Sequence, residues 1–242
     1  MGAGAARSLT ARRSRPRAYL LLARFSNLPT VWTNVLAGTI VSGAPFVRAD
    51  VAWLCLAVSL LYTAGMFLND AFDRDVDARV RPDRPIPAGD VTARETFAAG
   101  WGLLAAGALV LAARANAVAI LWGLLLAGVI VYYDFRHKQN AFGPAVMGVC
   151  RGLVYVVAAA ASSAVTSQVA TAALALTAYV IALTWVAKRA GARAGWLVPV
   201  LIAGISIVDA IVIGLSGGGT LAWAALSGFA ATMLLQRVVP GS

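Results

Sequence analysis

Eight apolar stretches of about twenty residues each divide this chain, and they leave it few ways to fold. Their approximate limits are 19–41, 51–69, 96–113, 117–133, 143–162, 169–187, 196–215 and 221–238. A helix of that length, rising about 1.5 Å per residue, spans the roughly 30 Å hydrocarbon core of a bilayer. It also satisfies its backbone polar groups internally, as a lipid-exposed segment must. Of the 242 residues, 60% are hydrophobic and 12% charged, and the mean hydropathy is +0.79. Ordinary soluble domains do not have that balance. The expected fold is all-α, a polytopic bundle of eight or nine transmembrane helices.

The net charge of +10 is explained by topology rather than by a nucleic-acid partner. If the amino terminus is cytoplasmic, seventeen of the twenty Lys and Arg residues fall on the inner side. Arg48 and Arg114 fall outside, and Arg151 lies within the fifth stretch. The positive-inside rule then places both termini on the cytoplasmic side. Residues 1–17, rich in Ala, Gly, Ser and Arg, are expected to form a disordered basic tail that touches anionic headgroups, with a single domain over 18–242. No small-residue cleavage site or short apolar core marks the tail as a signal peptide. Cys55 and Cys150 both lie in apolar runs and read as small buried residues.

Chemistry concentrates in residues 69–89, NDAFDRDVDARVRPDRPIPAG, where five aspartates and four arginines follow the second apolar stretch. If the helix continues through them, Asp70, Asp73 and Asp77 stand at i, i+3 and i+7, on one face about 10 Å long. Such a row suits one or two hard divalent cations, and Mg2+ is the expected occupant, completed by water and substrate phosphate oxygens. The plain alternative is a charged loop with i,i+4 pairs, Asp70 with Arg74 and Asp77 with Arg81. Three carboxylates on one face repel unless a cation joins them, which favours the metal reading. Pro82, Pro85 and Pro87 stop the helix and hold a short loop against the acids, so that Arg79, Arg81 and Arg84 can neutralise a diphosphate.

The pattern Asn69-Asp70-x-x-Asp73-x-x-x-Asp77 resembles the first aspartate-rich motif of the UbiA superfamily of intramembrane prenyltransferases, and the Arg-Pro-x-Arg-Pro-Ile-Pro-x-Gly run over 81–89 extends the match. Residues 133–155, YDFRHKQNAFGPAVMGVCRGLVY, are similar to an EboC-like bacterial branch of that superfamily, and with residues 24–38 the likeness covers most of the chain. The resemblance implies helices around a central cavity open to the cytoplasm, in a bacterial inner or cell membrane. It implies a polyprenyl diphosphate donor and a lipophilic acceptor, aromatic, quinone-like or lipid. Mg2+ would be held by Asp70, Asp73 and Asp77, with Asn69 orienting. In the family a lysine shortly after a tyrosine contacts diphosphate, normally as Tyr-x-x-x-Lys; here Tyr133 and Lys138 are one residue further apart. A second Asp-x-x-x-Asp motif usual between the sixth and seventh spans is missing, and residues 184–193 are basic, with Lys188 and Arg189 placed to grip the diphosphate directly.

Other polar residues within the spans follow from their cost in lipid. Arg24, Asn27 and Asn34 share roughly one face of the first stretch, either to bond helices together or to line a polar cavity. One of Tyr132 and Tyr133 could face the cavity, where its ring would stabilise an allylic cation; both otherwise belong to the interfacial aromatic belt. Arg151, about 12 Å into its span, needs an inward partner: Asp134, the aspartate row or the diphosphate itself. Asp209 is either neutral and hydrogen-bonded or lines the cavity floor near an acceptor. A terpene cyclase of the same superfamily, or an isoprenoid-lipid carrier or transporter without catalysis, are the competing functions.

Overall fold

A computed structural model describes residues 13–136, 143–190 and 195–240, and these are all-helical apart from turns and short loops. Helix α1 covers Arg15–Leu22, α2 Leu28–Val41, α3 Arg48–Phe72 and α4 Arg74–Val80; α5 covers Ala93–Ala112, α6 Ala117–Arg136 and α7 Gly143–Ser162. The remaining helices are α8 Ser167–Ala190, α9 Leu197–Ala203, α10 Ile205–Leu215 and α11 Thr220–Gln236. Among the described residues six helices are long and apolar enough to cross a membrane: α3, α5, α6, α7, α8 and the α9–α10 pair, while α11 is apolar but shorter. The chain is thus a multi-pass integral membrane protein. The last seven expected stretches coincide with these helices to within a few residues.

The first stretch is not one helix. A 3-10 turn, Phe25–Asn27, separates α1 from α2, and Arg24 before it adopts a left-handed conformation at φ 44°. Proline is tolerated in the first turn of a helix but not in its interior, and Pro29 sits in the first turn of α2. Helix α2 therefore starts at residue 28 and, at fourteen residues, rises only about 21 Å. At the amino terminus, α1 starts at Arg15 rather than beyond residue 17. Arg13 donates to the Asp83 carbonyl at 2.6 Å and pairs with Asp90, and Arg15 pairs with Glu95 at 2.5 Å. The end of the expected tail is thereby fastened to the segment between α4 and α5 and to the first turn of α5; residues 1–12 lie outside the described residues.

Helix association in lipid depends on close packing rather than on water exclusion, so small residues mark the contacts. A Cβ at Gly38 of α2 would stand 2.6 Å from the Tyr155 carbonyl oxygen on α7, and one at Gly152 of α7 would stand 2.4 Å from Thr177 Oγ1 on α8. These two glycines bring α2, α7 and α8 together. Leu54, Val58, Leu61, Leu126 and Val157 form one apolar core among α3, α6 and α7. Tyr155, Val169, Leu176, Ile205 and Ile213 form another among α7, α8 and α10. The start of α5 is fixed by a capping box in which Thr92 and Glu95 satisfy each other's backbone N–H groups. That fixes where the loop carrying Arg81 and Arg84 must end.

Candidate active site

Helix α3 ends at Phe72, and the chain loosens at Asp73 (φ −83°, ψ −5°) before α4 resumes. Backbone bonds from Asp73 N to Asn69 O (2.9 Å) and from Asp77 N to Asp73 O (2.8 Å) keep helical spacing through the joint. Asp70, Asp73 and Asp77 accordingly share the inward side, at 5%, 6% and 2% exposure, while Arg74, Asp75 and Arg79 point outward. The single-face expectation holds despite the break.

The repulsion among these acids is relieved first by guanidinium groups. Arg84 Nη1 donates to Asp70 Oδ1 at 2.7 Å and to Asp77 Oδ2 at 3.3 Å, so one arginine bridges two carboxylates. Burial lowers the Arg84 pKa below the usual guanidinium value, and the Asp70 charge opposes that shift. Arg81 Nε lies 3.7 Å from Asp77 Oδ1, the expected i,i+4 pair. The other such pair does not form, because Arg74 turns to Asp75 instead. Arg24 Nη2 reaches Asp70 Oδ1 at 3.3 Å, a site role that a continuous first helix concealed. A non-glycine residue held at positive φ is a strained backbone position, and here it aims a side chain at the site. The Ser26-Asn27 pair and Pro29 were the signals of that break.

Behind this rim lies a cavity of about 410 Å³, within the range of small-molecule sites. At the rim its wall carries Arg24, Asn27, Asn69, Asp73, Arg81, Arg84, Tyr133 and Asp134; deeper it carries Leu61, Leu126, Ile130, Val154, Val180 and Ile205. Tyr133 faces the cavity, whereas Tyr132 is 51% exposed. Asp134 is 3% exposed. Asn69 stands beside it, and the Asp134 Oδ2 has no hydrogen-bond partner. From the sequence Asp134 stands out only as a partner for Arg151, since nothing in a linear sequence places α6 opposite the end of α3.

Deeper in the bundle a second polar cluster is closed on itself. Asp209, fully buried, accepts from Tyr155 Oη at 2.6 Å, from Asn34 Nδ2 at 2.9 Å and from the Thr33 hydroxyl. Asn34 Oδ1 in turn accepts from Arg151 Nη1 at 2.9 Å. Of the two readings of Asn34, bonding between helices is the one its contacts describe; it joins α2 to α10 and α7. Arg151, expected to turn toward Asp134, the aspartate row or the diphosphate, stands on α7 opposite α2 and hydrogen-bonds to Asn34 instead. Its guanidinium lies 5.4 Å from the Tyr62 ring centre, on the cavity wall.

The other expected diphosphate contacts are not gathered here. Lys188 and Arg189 are exposed and absent from the cavity wall, and Arg189 stacks on Trp185 at 3.5 Å. The stripe of α8 that faces inward is Val180, Leu183, Thr184 and Ala187, and the two basic residues follow it off that face. Lys138 and Arg193 lie outside the described residues.

Among the described residues no three His, Cys, Asp or Glu side chains converge into a ready metal cage. Mg2+ does not require one, since it is usually held by one or two carboxylates, with water and substrate phosphates completing the octahedron. The all-oxygen donors at the rim and the unsatisfied Asp134 Oδ2 fit such an ion.

Comparison with known proteins agrees with this geometry. A 4-hydroxybenzoate octaprenyltransferase of Idiomarina loihiensis is 34% identical over 140 residues, 57% of this chain and 46% of that protein. A digeranylgeranylglyceryl phosphate synthase of Methanopyrus kandleri is 40% identical over 93 residues, covering 38% of this chain and 33% of the relative. The chain thus spans less than half the length of these curated relatives. In fold it is similar to a solved structure described as that of a digeranylgeranylglyceryl phosphate synthase (TM-score 0.63, 19% identity, 92% of this chain and 88% of the other). It is also similar to a UbiA homolog from Archaeoglobus fulgidus bound to GPP and Mg2+ (TM-score 0.58, 17% identity, 91% and 87% covered). The model of the UbiA prenyltransferase family matches residues 27–239, and the chain belongs to that family.

Proposed function

We propose that this protein is a Mg2+-dependent membrane prenyltransferase that moves a prenyl group from a polyprenyl diphosphate to a lipophilic aromatic, quinone-like or lipid acceptor. The observation that carries the reading is the cavity's polarity, with arginines and carboxylates at its rim and apolar side chains beneath. An isoprenyl diphosphate has the same division between head and tail. The relative named as an octaprenyltransferase, and the homolog solved with GPP and Mg2+, support the same class of donor.

In this reading Arg84, Arg81 and Arg24 bind the diphosphate oxygens, with Arg79 adding positive field from outside. Asp73 provides the metal-binding oxygen at the cavity wall, while Asp70 and Asp77 stand behind the Arg84 bridge. Asn69, beside Asp134, helps orient the carboxylates of the site. When bound, Mg2+ withdraws electron density from the leaving diphosphate. The C1–O bond breaks with both electrons leaving on pyrophosphate; the acceptor forms the new bond to C1 and gives up a proton. The apolar walls exclude water that would otherwise capture the allylic cation, and the Tyr133 ring faces it. The acid-rich rim and both termini face the cytoplasm of a bacterial cell, consistent with the basic residues gathered on that side.

Purified protein in lipid nanodiscs, given Mg2+ and labelled geranylgeranyl or farnesyl diphosphate, should release pyrophosphate, and chelation should stop the release. Binding of the isoprenoid without cleavage, indifferent to chelation, would instead assign a carrier. A cyclised hydrocarbon product in the absence of acceptor would assign a cyclase.

A further inference from the structure

Among the described residues, two carboxylates line the cavity: Asp73, at the joint between α3 and α4, and Asp134, near the end of α6. They come from different helices and sit close enough for their charges to interact. Asp134 is buried to 97% with Asn69 beside it, and its Oδ2 has no hydrogen-bond partner. Leaving a carboxylate oxygen buried and unsatisfied is costly, and more so beside other acids. Arg24 attracts Asp134 electrostatically, but its hydrogen bond goes to Asp70. On the facing helix α3 a glycine, Gly65, stands opposite this oxygen, and even a Cβ there would remain 3.9 Å from Oδ2. No side chain of α3 at that position fills the space in front of this oxygen.

We infer that Asp134 is a direct Mg2+ ligand, its Oδ2 coordinating an ion shared with Asp73 across the cavity, so that α6 supplies the second half of the metal site. The inference rests on the Mg2+-dependent reading above. A hard oxygen on a buried side chain beside the cavity is the donor that Mg2+ accepts. Two carboxylates on opposite helices also leave the remaining octahedral positions for diphosphate oxygens and water. Asp73 and Asp134 are the acids on the cavity wall, and the Arg84-bridged Asp70 and Asp77 are not among its lining residues.

The test is Mn2+ titration of the full chain in nanodiscs, followed by electron paramagnetic resonance with and without inorganic diphosphate. Asp134→Asn keeps the side-chain size and one oxygen, and it should weaken Mn2+ binding by at least about tenfold, the lower range for disturbing a metal's supporting groups. Asp75→Asn, at an exposed position paired only with Arg74, should bind as wild type does. Should Asp134→Asn not fold, Asp134→Glu carries the test, since a carboxylate moved by one methylene must alter the Mn2+ spectrum if it is a ligand. Wild-type affinity in folded Asp134→Asn, or an unchanged spectrum and affinity in Asp134→Glu, overturns the assignment. Those results leave the prenyltransferase reading standing if pyrophosphate release still needs Mg2+. Wild-type protein that neither binds Mn2+ nor needs Mg2+ overturns both.

Discussion

Two buried acid centres in this molecule use the same residue type to opposite ends. Asp209, deep between α2, α7 and α10, accepts hydrogen bonds from Tyr155, Asn34 and the Thr33 hydroxyl, and Arg151 stands one residue behind. Its lone pairs are spoken for by donors of the protein itself. At the rim, Asp70 and Asp77 share Arg84, Asp73 lines the cavity wall, and Asp134 keeps a bare oxygen there. A carboxylate saturated by fixed donors holds helices together, and removing it costs stability. An unsaturated one beside a cavity is poised for a ligand. Burial alone does not separate the two, because Asp209 is the more buried.

This contrast can be broken at several points, and the largest effect belongs to the rim. Asp73→Ala should lower the rate of pyrophosphate release by about 10²–10³, the range for losing one preorganised electrostatic group, with the thermal unfolding midpoint nearly unchanged. A comparable loss of activity accompanied by unfolding would make Asp73 structural. Asp209→Ala should do the reverse. It strips the anion from an otherwise complete network, and a loss of about 3–5 kcal/mol in unfolding free energy is expected, measured by denaturant titration in mixed micelles. Residual folded protein should still bind Mn2+.

Smaller effects sharpen the boundary between the centres. Arg84→Gln removes a charge-assisted donor shared by two acids and should raise KM for the prenyl diphosphate by about tenfold or more, with a smaller change in kcat. A change in kcat alone would move Arg84 from binding to the chemical step. Arg189→Ala should alter KM and kcat by less than about twofold, because its stacking on exposed Trp185 is worth about 0.5–1 kcal/mol and it does not line the cavity.

How far the sequence reveals these centres depends on whether partners are local. The acid row and the arginine-proline loop lie within twenty-one residues, so helical spacing and turn chemistry bring Asp70, Asp73, Asp77 and Arg84 together on paper as in space. Seven of the eight apolar stretches coincide with helices because length and hydropathy suffice in lipid. The first stretch breaks where a Ser-Asn pair and a proline outweigh hydropathy, although Arg24 and Asn27 still line the cavity, one of the two roles expected of them. Asp134 and the partner of Arg151 depend on which helices become neighbours, and no spacing rule reports that. Lys188 and Arg189 show the converse: charge sign suggested a phosphate contact, but helical phase carries both away from the cavity.

The central claim is that the prenyl tail lies beneath the acid and arginine rim, inside the bundle. A farnesyl diphosphate analogue with a diazirine on its terminal isoprene unit, photolysed on the protein in nanodiscs with Mg2+ and mapped by peptide mass spectrometry, tests this most directly. The label is expected on cavity residues such as Leu126, Ile130 and Val154, and an excess of unlabelled diphosphate should abolish it. Labelling confined to outward-facing Leu121 and Leu174, each 68% exposed, and insensitive to that competitor would contradict the account.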